Sequence, residues 1–331
     1  MQPLSAESVP KRLVSLISQL RSHSRILSIL LIVSILVVFG WQLVRGWHNL
    51  PVGFHSNVRW FRLLVSLAML VPALLFVSSR WWLTLRAMGV RVGWWDAARI
   101  WFLSQAGRYL PGGVWSYVGR FLLGRAKMTQ ETVIASMVLE TGLRVVSEVL
   151  VFLLSLPFWS DAGFLGTVSV PLLIGMVSLM LVVLHPSILG RLGRVSLLQR
   201  LGLGPIDLSG LRYRAVLALL AYYMLTVVMV GFAFYIMVGA FFALPGRVVP
   251  ALTGSLAASM VLGFLVPFVP NGWGVREGTL AFLLSQMMPF SVAIVISGAA
   301  RIWLTLGELV WILVFARPWS PFTSRQAKTP G

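Results

Sequence analysis

Seven charged side chains sit inside stretches of sequence that are otherwise apolar: Glu140, Arg144, Glu148, Arg276, Glu277, Arg301 and Glu308. At the centre of a membrane helix each would cost about 2.5–3.5 kcal/mol, roughly 20 kcal/mol for the set, so they must be paired or wet. Their spacing indicates how. Glu140, Arg144 and Glu148 fall at i, i+4 and i+8 on one helix face, where the arginine can meet a carboxylate on either side. Arg301, Thr305 and Glu308 fall at i, i+4 and i+7 on another. Arg276 and Glu277 are adjacent, so they diverge and each needs a partner from a different helix. Two more arginines, Arg108 and Arg120, lie beside a glycine–proline turn together with Tyr109, Trp115, Ser116 and Tyr117. Forked guanidinium donors suit phosphate oxygens, and tyrosine suits a boundary between apolar and wet surroundings. The chemistry on offer is recognition of an anion in an apolar setting.

No catalytic constellation accompanies it. The sequence has no HExxH, no phosphate loop and no aspartate pair suited to holding a metal on a sugar nucleotide. Zero cysteines exclude disulfides, thiolate chemistry and cysteine-based metal sites, and four scattered histidines suggest no zinc site. No cofactor and no metal are expected.

These residues must be positioned by membrane helices. The chain is 58% hydrophobic and 11% charged over 331 residues, whereas a soluble domain carries about 25% charged residues. Its mean hydropathy is +0.89. The reading is an all-α polytopic membrane protein with one transmembrane domain over residues 26–316. A basic segment, 1–25, precedes it, and a short tail, 317–331, follows. The net charge of +18 does not point to nucleic acid, because the basic residues lie mostly in short loops beside apolar spans. In the first segment Leu13, Leu16, Ile17 and Leu20 repeat as on a helix lying on a membrane surface. A signal peptide fits less well: the apolar run starts only at Ile26 and has no small-residue cleavage site after it.

Six full spans are expected: Ile26–Val44, Trp60–Ser79, Thr132–Pro157, Phe164–Leu184, Ala215–Leu244 and Val292–Phe315. Trp81, Trp82, Trp94 and Trp95 follow the second as an interfacial belt. Two further segments are broken by glycine and proline. Asp96–Leu123 is interrupted at Gly107–Gly113, and Pro250–Met288 at Pro270–Gly278. Such breaks free backbone polar groups that hydrocarbon cannot satisfy, so they belong in protein or beside a wet cavity. The helical pieces of the first are too short to cross about 30 Å of hydrocarbon, and both segments read as re-entrant hairpins. The order span, span, hairpin, span then occurs twice, and three crossings per half would make the halves an inverted repeat. The other reading is that Pro250–Val269 crosses alone, giving more spans and no symmetry. With the N-terminus inside, twenty of the 27 Lys and Arg residues fall on the cytoplasmic side and four outside, so both termini are expected in the cytoplasm.

The two turns carry a resemblance. Arg108-Tyr109-Leu110-Pro111-Gly112-Gly113-Val114-Trp115, with Gly119-Arg120 after it, resembles the first signature of the lysylphosphatidylglycerol synthase transmembrane, or flippase-like, family. Pro270–Gly278, ending Gly-Val-Arg-Glu-Gly, is similar to its second, and Glu140 falls where the family has an acidic residue. Asn271 and Trp273 depart from it, standing where glycine and a smaller aliphatic residue are common. The resemblance implies an integral membrane protein linked to moving lipids across the bilayer, and the expected location is the inner (cytoplasmic) membrane. In multidomain relatives an aminoacyl-transferase domain follows this region; here the chain runs about 15 residues past the last span, and no such half is expected.

The expected function is translocation of a phosphate-bearing lipid, an anionic phospholipid or a polyprenyl-phosphate-linked sugar, with an envelope-biosynthesis enzyme as a candidate partner. The expected binding residues are Arg108, Tyr109, Trp115, Arg120, Glu140, Arg144, Asn271, Arg276, Glu277, Arg301 and Glu308. The two turns should approach each other, with Glu140 and Arg276 facing one cavity. The alternatives are a membrane-embedded glycosyl- or aminoacyl-transferase, or its accessory subunit, and a scaffold whose buried charges are purely structural.

Overall fold

The computed structural model describes residues 41, 44, 58–109, 114–159, 170–183, 212–266 and 272–316. The basic segment 1–25, most of the first expected span, the greater part of the basic loop after His185, the tail 317–331, Asn271 and the centres of both turns lie outside the described residues. Within them the only regular structure is helical, with no strand. Nine helices follow in order: α1 Trp60–Ala87, α2 Trp94–Gln105, α3 Trp115–Gly124, α4 Gln130–Ser155, α5 Val170–Val183, α6 Tyr213–Phe241, α7 Val249–Leu265, α8 Val275–Leu284 and α9 Phe290–Ala316.

Length and composition separate these into two kinds. Helices α1, α6 and α9, together with Gly246–Leu265, which is α7 and its leading 3-10 turn, are long and apolar enough to cross a bilayer. The last agrees in length with the reading in which this segment crosses alone. Helix α4 has 26 residues, about 39 Å at 1.5 Å each, and is equally long. Glu131, Glu140, Arg144 and Glu148 set its composition apart from the other four. Helices α2, α3 and α8 have 12, 10 and 10 residues, roughly 15–18 Å, half of what a bilayer core requires. Only part of the expected span Phe164–Leu184 is described, as α5.

The second expected span runs eight residues further than its apolar run suggested, to Ala87. Trp81 and Trp82, expected at the interface, belong to this helix, and Trp81 is completely buried, its Nε1 donating to Ser136 Oγ at 3.0 Å. A tryptophan that finds a polar partner inside can leave the interface, because its indole N–H is its only polar atom.

Helices α1 and α6 pack antiparallel against each other. Arg59 N donates to Ala240 O at one end, and Ser79 Oγ shares a 2.5 Å hydrogen bond with Tyr222 OH near the other. Around this pair the contacts follow one rule. Among these eight helices, exchanging α1–α4 with α6–α9 leaves the set of touching pairs unchanged. Thus α2 packs on α9 as α7 packs on α4, and α3 packs on α4 as α8 packs on α9. The largest apolar core lies between α1, α2, α6 and α9, with Leu70, Trp81, Phe102, Phe234 and Ile296 buried in it. Outward faces are apolar and open, including Phe61, Leu64, Ile302 and Leu313, each more than 60% exposed. Exposed apolar faces of this kind are what lipid covers.

Candidate functional site

Both broken segments fold as tight helical pairs, and glycine explains how close their arms come. A Cβ on Gly107 would lie 2.6 Å from the backbone carbon of Trp115. At the second turn Gly272 has φ +65° and faces Gly263, and a Cβ there would meet the Gly263 Cα at 2.7 Å. No other residue fits either place. Helix α8 then starts from Gly274, at φ +78°, whose backbone N–H donates to Glu277 Oε2 at 2.6 Å. The Glu277 carboxylate thereby caps its own helix and sits at the positive end of the helix dipole.

Between the two helical pairs lies a cavity of about 340 Å³, within the usual size of a small-ligand site. The first turn contributes Arg108 and Val114, the second Gly272 and Arg276; α4 contributes Glu140, Arg144 and Glu148, and α9 contributes Glu308. The two turns therefore meet at one cavity, with Glu140 and Arg276 on its wall.

Three ion pairs organise the wall. Arg120 Nη1 donates to Glu140 Oε2, and Trp101 Nε1 donates to the other oxygen at 3.0 Å. The Arg120 guanidinium lies over the rings of Trp81 and Trp101, 5.4 and 5.7 Å from their centroids. Arg144 Nε donates to Glu148 Oε1 at 3.0 Å, and Arg108 Nη1 donates to Glu308 Oε1 at 2.8 Å. The last pair ties the first turn to α9. Glu148 Oε2 and Gln105 Oε1 are buried with no hydrogen-bond donor.

A fourth pair lies away from the cavity wall. Arg301 Nη1 meets Glu277 Oε1 at 3.1 Å, and its guanidinium stands 5.1 Å above the Trp273 ring. Its polarity is the reverse of the Arg120–Glu140 pair. In the first half the short helix supplies the arginine and the following long helix the glutamate; in the second half these are exchanged.

The profile of the lysylphosphatidylglycerol synthase transmembrane region matches residues 25–311. The chain belongs to this family. No curated protein matches it. The family assignment makes it an integral membrane protein with a membrane domain of lipid-related function.

Within this family member the two signature turns are the short helical pairs that close on the cavity. Of the expected binding residues, Arg108, Arg120, Glu140, Arg144, Arg276 and Glu308 line it. Glu277 and Arg301 do not; they hold the second turn in shape. Trp115 and Trp273 are 45% and 43% exposed and also lie off the wall. Asn271 lies outside the described residues, as does the Tyr109 side chain. The pairing within α4 also differs from the expectation. Arg144 takes Glu148 alone, because Glu140 is held by Arg120 and Trp101 from neighbouring helices. Likewise Arg301 and Glu308 share a helix but find partners elsewhere, in Glu277 and Arg108.

Sequence reasoning missed Arg80, which lines the cavity and is 5% exposed. It follows an apolar run and precedes two tryptophans, the usual look of a span's basic end. The signal that could have found it is the apolar Leu83 and Leu85 beyond, which continue the helix.

Proposed function

We propose that this protein is a translocase for a phosphate-bearing lipid, whose head group enters the cavity between the two turns while its tail stays in the bilayer. The observation that carries this reading is the charge of the cavity wall. It holds Arg80, Arg108, Arg120, Arg144 and Arg276 against Glu140, Glu148 and Glu308, with apolar side chains filling most of the rest. Arg276 makes no ion pair with any described residue. An arginine exposed to a cavity without a counter-ion is arranged to receive one, and its fork suits phosphate.

The exchange of α1–α4 with α6–α9 supports reading the chain as an inverted repeat in which each short pair is a re-entrant hairpin. The contacts run accordingly: Gly254 of α7 faces Ser155 of α4, while Arg144 of α4 stands over Phe264 of α7. On this reading six spans and two hairpins lie in the inner membrane with both termini cytoplasmic. Arg80, Arg108 and Arg120, placed on the cytoplasmic side by the sequence tally, line the cavity instead. Removing these three from twenty leaves seventeen basic residues inside against four outside, so the asymmetry keeps its sign. An enzyme of envelope biosynthesis would supply or consume the lipid.

The test is purified protein in liposomes with fluorescent anionic phospholipid. Wild type should move lipid between leaflets with no chemical change to it. Arg276→Ala should remove that movement and leave a folded, inserted protein, while Arg276→Lys, lacking the fork, should restore it in part. Conversion of the lipid to a new species would identify a transferase. Unchanged flux in Arg276→Ala would refute the assigned role.

A further inference from the structure

The cavity charges do not cancel. Three of its five arginines are each matched to one of its three glutamates. Arg80 and Arg276 remain, one from each half of the fold. Arg80 is held by neutral groups only: Nε donates to Thr226 Oγ1 at 2.5 Å and Nη2 to Tyr223 O at 3.0 Å. A guanidinium carries five N–H donors, so the Nη1 hydrogens of Arg80 are uncommitted. The other described acids are engaged or distant from the wall. Asp96 pairs with Lys127, Glu277 pairs with Arg301, and Glu131 is exposed in the first turn of α4. Buried cations are kept where they are paired or face a charged, wet site. The missing counter-charge therefore belongs to the ligand, and it amounts to two.

We propose that the cavity is built for a head group carrying two negative charges, a phosphomonoester or diphosphate on a lipid, with Arg80 and Arg276 as its charge partners from the two halves. This rests on the translocase reading. A phosphodiester carries one negative charge and would leave one guanidinium uncompensated. A phosphomonoester, with its second ionisation near pH 6, carries close to two at pH 8. Arg80 is then a specificity residue: it decides which phosphate is preferred, while Arg276 decides whether any is moved.

Proteoliposomes at pH 8 containing labelled phosphatidic acid or labelled phosphatidylglycerol separate the two charge states. Wild type should move phosphatidic acid faster by on the order of tenfold, the value of one added charge-assisted contact. Arg80→Gln should bring the two rates together by slowing phosphatidic acid more than phosphatidylglycerol, and Arg80→Lys should keep most of the preference. Entrapped inorganic phosphate should stay inside; its release without phosphatidic acid movement would make the ligand a soluble phosphate and overturn the lipid assignment. Equal wild-type rates for both lipids would overturn the two-charge inference and leave the translocase reading standing. Movement of neither would sink both. The wild-type ratio needs no variant, so it decides the question even if Arg80→Gln fails to fold.

Discussion

The Arg120–Glu140 pair allows the sharpest test of how this protein tolerates charge in its interior. Both side chains are more than 90% buried, and Glu140 also accepts from Trp101. Removing one member of a buried pair leaves an uncompensated charge, which costs about 3–5 kcal/mol. Glu140→Ala should fall at the upper end, because the Trp101 N–H loses its acceptor as well, about 1 kcal/mol more. Arg120→Met should cost slightly less. The double replacement Arg120→Met with Glu140→Met removes both charges and keeps the volume, so it should lie within about 1 kcal/mol of wild type or exceed it. The non-additivity should thus reach several kcal/mol, far above the roughly 0.5 kcal/mol seen for independent sites. The measurement is denaturant unfolding in detergent followed by tryptophan fluorescence. The Asp96–Lys127 pair, at 3.5 Å with side chains 28% and 41% exposed, is the internal control, and its cycle should give no more than about 1 kcal/mol. Additive effects at Arg120 and Glu140 would refute the argument that the two charges stabilise each other. A double variant that folds but moves no lipid would give the pair a role in transport beyond stability.

Other expectations follow from named positions. Gly272→Ala should destabilise by about 2 kcal/mol or more, combining left-handed backbone with overpacking against Gly263, whereas Gly278→Ala, with open space around its Cβ position, should be neutral or slightly stabilising in the same unfolding assay. Glu277→Gln should keep a hydrogen bond to Gly274 N but lose the Arg301 pair, lowering stability with a smaller effect on which lipid is preferred, read from the liposome assay. Cysteine at Gln326 should react only with reagent on the cytoplasmic side and cysteine at Gly163 only from outside; labelling of both from one side would overturn the orientation.

The sequence was most informative where hydrocarbon is least forgiving. Glycine and proline within apolar runs located both turns, and the seven intramembrane charges all proved paired or cavity-facing. Adjacent Arg276 and Glu277 diverge as their spacing requires, one to the cavity and one to Arg301. Partner identity was less legible. Spacing along one helix suggests i, i+4 pairing, but Glu140 and Glu308 are taken by arginines from other segments, and only three-dimensional packing decides that competition. Arg80 was missed for a related reason: a basic residue at the end of an apolar run looks the same whether the helix stops or continues.

The α1–α6 seam has a mechanical consequence. It is fastened at both ends, by Arg59 and Arg62 to Ala240 and Gly239, and by Ser79, Arg80 and Thr84 to Tyr222, Tyr223 and Thr226. Sliding one helix past the other by a single turn, about 5.4 Å, would break every one of these links at once. Tilting about the seam would strain them far less. The seam therefore favours rocking of the two halves over shearing, and because its own Arg80 reaches the cavity wall, a ligand held there would touch the axle as well as the turns that swing about it.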